Sequence, residues 1–267
     1  MTTPSIRSLS LQALIAAAAL ALPWRAHAHD LVLVPETTGS LTVRYGHPGD
    51  WQQADKERLL DLQVGDAAGI AKPLAAAIKP AGLSLSVADV STDGKAAMAI
   101  ARYDNGIWTI TPGATADKPV YHNASKAMVP QATSAVASIK FSKALFASVD
   151  DTTVYRREAK HLIELIPQRN PASVKVGETL AVLVKFNGKP LANAGVEITD
   201  AGVLTVEGQP KYTTSAAGIA SVPVRQSGLN VVSVDFEVAN NGALSKAMKA
   251  LPVEKVLMVA TYGFQVR

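Results

Sequence analysis

The chain has 267 residues, of which 48% are apolar, 18% charged and only 5% aromatic, with no cysteine and a formal charge of +4. This is the balance of a folded globular protein, and it excludes disulfides, thiolate metal sites, iron–sulfur clusters and a cysteine nucleophile. No basic run is interleaved with aromatics, so nucleic acid has no electrostatic footprint to meet.

The first 28 residues read as an export segment. Arg7 supplies a short positive region, Leu9 to Leu22 is an apolar run, Pro23 breaks it, and Ala26-His27-Ala28 sets small residues at a peptidase site. The run is shorter than the roughly 20 residues a membrane-spanning helix needs. The expectation is a cleaved signal peptide at 1–28, a periplasmic protein, and no membrane span after cleavage. The new terminus would be His29-Asp30. A free α-amine and an imidazole on one residue form a chelate for borderline transition metals.

From Leu31 onward, short strands and turns are predicted. Leu31–Val34, Leu41–Tyr45, Leu60–Val64 and Leu83–Val87 are apolar or alternate with period two. Met98–Tyr103 and Ile107–Ile110 read as a hairpin about Asp104-Asn105-Gly106, since Asn-Gly supplies the positive φ of a tight turn. Phe141–Ala147 fits either a strand or a helical turn. Leu162–Ile166 is a strand, and Pro167 to Pro171 reads as a linker. Strands follow at Thr179–Phe186, Gly195–Thr199, Tyr212–Thr214, Ile219–Val224, Leu229–Val238 and Val256–Val266. The fold class is therefore all-β, with two β-sandwich-like domains at 29–170 and 171–267.

Motifs of catalysis are missing: no phosphate loop, no Gly-x-Ser-x-Gly elbow and no His-Glu-x-x-His helix. The chain reads as a binding protein, not an enzyme. All histidines retained after cleavage lie before the linker: His29 at the terminus, His47 in a Pro/Gly turn, His122 between Tyr121 and Asn123, and His161 beside Lys160. Imidazole suits nickel, cobalt, copper and zinc. The candidate metal ligands are His29, His47 and His122, with Tyr45 or Trp51 as walls; His161 is the weakest candidate.

Ala28-His29-Asp30 with the strand that follows, Val43 to His47, Asp104 to Trp108, Tyr121 to Lys126, Tyr155 to Lys160 and Glu164 to Pro171 form one ordered set, continued by Val176 to Leu180, Gly188 to Leu191, Thr213-Thr214, Gly218, Gly228-Leu229 and Ala260 to Phe264. Together they resemble a bacterial exported family of unknown function associated with nickel and cobalt uptake, similar to periplasmic components of Nik-type transporters. The resemblance implies a metal-binding accessory protein that presents nickel or cobalt to a membrane transporter, with His29 and His47 in the site. It also implies an immunoglobulin- or prealbumin-like second domain. The alternative is a metal-free structural or glycan-presenting β-sandwich, although few aromatics are available to stack on sugars.

Overall fold

The computed structural model describes residues 29–47, 49–69, 71–90, 95–112, 120–122, 124–129, 131–146, 151–200, 211–240 and 253–267. The expected signal segment at 1–28 lies outside them. Strands β1 (Asp30–Pro35), β2 (Leu41–His47) and β3 (Asp50–Gln52) come first. They are followed by β4 (Leu59–Asp66), β5 (Ala71–Pro73), β6 (Lys79–Ala81) and β7 (Ser84–Val87). The long β8 (Ala96–Ile110), β9 (Val120–His122), β10 (Ser134–Leu145), a single helical turn α1 (Thr152–Tyr155) and β11 (Ile163–Pro167) continue the chain. Then come β12 (Thr179–Phe186), β13 (Lys189–Pro190), β14 (Gly195–Asp200) and β15 (Tyr212–Thr213). The last strands are β16 (Ile219–Pro223), β17 (Gly228–Ala239) and β18 (Lys255–Val266).

These strands make three sheets. A central sheet runs β15-β14-β17-β18-β10-β8-β4-β5, with β9 beside β8. A second sheet, β1-β2-β7-β6 with β3 on β2, covers one face; a third, built on β12 with β11, β13 and β16, covers the other. The alternation of side chains divides the central strands between two cores. On β8, Ala99, Ala101 and Tyr103 pack with Leu31, Leu41 and Leu85 of the second sheet. Met98 and Ile100 turn to the opposite core, with Leu165, Leu180 and Val222 of the third.

The fold is all-β and made of facing sheets, as the strand pattern implies. Two expectations need correction. The first concerns the boundary at Asn170, which does not separate two cores. β18 hydrogen-bonds in parallel to β10 from Val136↔Lys255 to Ala144↔Gly263, and β11 pairs with β12 across the supposed linker. Within that linker Pro171 is buried, and the Asn170 side chain caps the next turn by accepting from Ala172 N at 3.0 Å.

The second correction is to the hairpin, because Met98 to Ile110 lies within one strand, β8. Ala137 pairs with Ile107 and Ile139 with Asp104, so Asn105 and Gly106 together oppose Ser138. That is a β-bulge, with Gly106 at φ +79°. A bulge and a tight turn ask for the same Asn-Gly chemistry, and here the pairing partner β10 selects the bulge. The ambiguous Phe141 segment is the second half of β10.

Candidate functional site

Antiparallel pairing of β1 with β2 ends at Asp30↔Gly46, which leaves His29 across from His47. Their rings meet edge to face, with centroids 5.4 Å apart. Gly46 makes this corner possible: it sits at φ +119°, and a Cβ there would lie 2.5 Å from the Asp50 carbonyl oxygen. β3 can therefore fold tightly back on β2, bringing Asp50 opposite His47.

A chain of polar contacts supports His29 from below. Its Nδ1 lies 3.3 Å from the Tyr45 hydroxyl. That hydroxyl donates to Asn105 Oδ1 at 2.6 Å, and Asn105 Nδ2 donates to Ser138 Oγ at 3.3 Å. The bulge on β8 is what turns Asn105 inward to this position. Tyr45 also stacks on Tyr103, with centroids 5.4 Å apart. Both tyrosines line a neighbouring cleft of about 600 Å³, walled by Ala54, Arg58 and Leu85.

Charge gathers on the other flank. Asp30 Oδ2 stands 3.8 Å from His47 Nδ1, and Lys140 is wholly buried on β10, its Nζ without a hydrogen bond among the described residues. Burial pushes the Asp30 carboxyl up to about 7, against the opposing pull of the Lys140 charge. Burial likewise pulls Lys140 down to about 7, against the attraction of Asp30 and Asp235. His29 is held below the usual imidazole range, first by burial and then by Lys140, with Asp50 acting the other way. Tyr45 is pushed up to about 12 by burial, so its phenol keeps its proton. Burial thus favours the neutral His29 ring, the state in which an imidazole binds metal.

Of the expected ligands, the structure brings His29 and His47 together. His122 lies on β9, its backbone paired with Trp108, three residues along β8 from Asn105. Among the described residues no group of three or more His, Asp or Glu side chains is placed to hold a metal ion. His161 is elsewhere, tilted against Phe141 at 5.0 Å and driven down to about 3 by burial. Of the two expected walls, Tyr45 is in the cluster. Trp51 instead carries the Arg44 guanidinium at 5.5 Å and packs beside Val32 and Val231. Asn105 and Lys140 had no sequence signal, the first because it reads as a turn residue and the second because a strand lysine reads as solvent-facing.

These features define an all-β protein with a half-buried histidine pair where its first two strands meet. The chain belongs to the family described as a domain of unknown function, DUF4198, which matches residues 26–238. No curated protein matches the sequence. Among solved structures, the D0-D1 domain of intimin aligns with 89% of this chain and 96% of its own, at 14% identity and a TM-score of 0.22. That superposition defines no common fold.

Proposed function

We propose that the protein is an exported, periplasmic metal-binding accessory factor that takes up nickel or cobalt and presents it to a membrane transporter. The observation that carries this reading is the meeting of His29 and His47 at 5.4 Å between ring centres. Two imidazoles on one tetrahedral ion, with metal–nitrogen bonds of about 2.1 Å, have centroids about 5 Å apart. The observed separation is close to that distance before any ion is bound. Nitrogen donors suit nickel, cobalt, copper and zinc, and burial favours the neutral, metal-binding form of the His29 ring. A two-histidine site leaves positions for water or for a donor from the receiving protein, which is what a carrier that must release its cargo requires.

Titration calorimetry of the chain from His29 onward with each of the four ions tests the reading. His29→Ala and His47→Ala should each weaken nickel or cobalt binding at least about tenfold, equal to about 1.4 kcal/mol. Variants that bind like the parent would leave the metal-free sandwich module as the better account.

A further inference from the structure

We infer that Asn105, acting through Tyr45, holds a proton of the His29 ring on Nδ1 and leaves Nε2 as the nitrogen open to a metal ion. A phenol has one proton, and Tyr45 directs it at Asn105 Oδ1, 2.6 Å away. In the other direction the amide's Nδ2 donates to Ser138 Oγ; were the amide turned round, the phenol proton would point at His29 and the ring would be Nε2–H. With the amide as it stands, what Tyr45 offers His29 is a lone pair, and the nitrogen facing it at 3.3 Å is Nδ1. A lone pair is satisfied only by a donor, so Nδ1 bears the hydrogen.

Both supporting side chains are sheltered, Tyr45 at 9% exposure and Asn105 at 4%, so solvent does not readily substitute for either. The bulge at Asn105-Gly106 is part of the device, since it is what aims Asn105 at the phenol. Asn105 is a positioning residue: it touches no metal, and it sets which face of the histidine does.

The consequence bears on the metal-binding reading and, to that extent, rests on it. A terminal histidine grips a metal with amine and ring together only through Nδ1, which closes a six-membered ring. While Tyr45 occupies Nδ1, that grip cannot form. His29 then acts as a single Nε2 donor beside His47, a weaker hold than a chelate and one suited to release.

The proton's position is a property of the metal-free protein, so it can be tested separately. Long-range 1H–15N correlation spectra of histidine-labelled protein distinguish the two tautomers, and His29→Gln assigns the signal. The parent should show His29 as Nδ1–H. Tyr45→Phe and Asn105→Leu should each return it to Nε2–H, the form free imidazole favours. An Nε2–H pattern in the parent, or no change on Tyr45→Phe, overturns the inference. In nickel titrations, one serine added ahead of His29 should leave affinity within about twofold. A larger loss would mean that the amine–Nδ1 chelate forms and Tyr45 has been displaced. A parent chain that binds no nickel would sink the carrier reading while the tautomer result stands by itself.

Discussion

Lys143 of β10 and Glu164 of β11 meet at 2.7 Å with side chains only 2% and 3% exposed. An ion pair is thus buried between the central sheet and the sheet that covers it. Lys143 Nζ also donates to the Arg157 carbonyl at 3.0 Å, and Glu164 accepts from Ala159 N. Burial depresses Lys143, and the carboxylate beside it counters the effect.

Removing one partner strands the other charge in an apolar core. Lys143→Met or Glu164→Leu alone should cost about 3–5 kcal/mol, and the double substitution should recover most of it. Urea unfolding of the three variants checks this. Additive losses would mean that the two groups are stabilised by their other contacts and not by each other.

The same pair shows why the chain's division was not legible. Two prolines around Asn170 look like a linker, and their local chemistry gives no hint that β11 and β12 pair across them. The parallel pairing of Ser142 with Thr261 is equally silent in sequence, because no short-range pattern encodes a partner so distant. Half-buried strands read well: β7 and β12 alternate as their sequences do. Strands covered on both faces lose that alternation, which is why β10 was ambiguous. In the site, His29 and His47 stood out by position, and their supports Asn105 and Lys140 did not.

Gly106 should be intolerant of a side chain. At φ +79°, Gly106→Ala forces a left-handed conformation costing about 1–2 kcal/mol. The bulge would relax and withdraw Asn105 from Tyr45. A lowered melting temperature together with a changed His29 tautomer is expected. A variant with the parent's stability would show that the bulge is not held by this glycine.

Gly46 should matter for both stability and metal binding. A methyl group there would stand 2.5 Å from the Asp50 carbonyl oxygen and 3.0 Å from Gln52 N. Gly46→Ala must therefore push β3 away from β2 between Tyr45 and His47. Nickel affinity should fall along with the melting temperature. Unchanged affinity in a destabilised variant would place the ligands elsewhere than this corner.

The buried charges of Asp30 and Lys140 give stability an unusual dependence on pH. Asp30 is raised from 3.8 to about 7, so between those values the folded chain holds a proton that the unfolded chain has lost. Its contribution then falls as pH rises through that window. Lys140 is lowered from 10.5 to about 7, so between pH 7 and 10.5 the unfolded chain holds the extra proton. Its contribution rises with pH across that second window. The two slopes oppose each other, and together they place the least favourable point near pH 7, where both groups are most strained by burial. Asp30→Asn with Lys140→Met removes both slopes without leaving either charge alone. At pH 7 this double variant should be as stable as the parent or more stable, by up to about 4 kcal/mol. Its advantage should shrink toward pH 4 on the Asp30 side and toward pH 10 on the Lys140 side. Metal-free denaturant titrations at intervals from pH 4 to 10 measure the difference directly. A difference independent of pH would mean that neither group titrates apart from its unfolded value, and the charges would then not be coupled through burial at this corner.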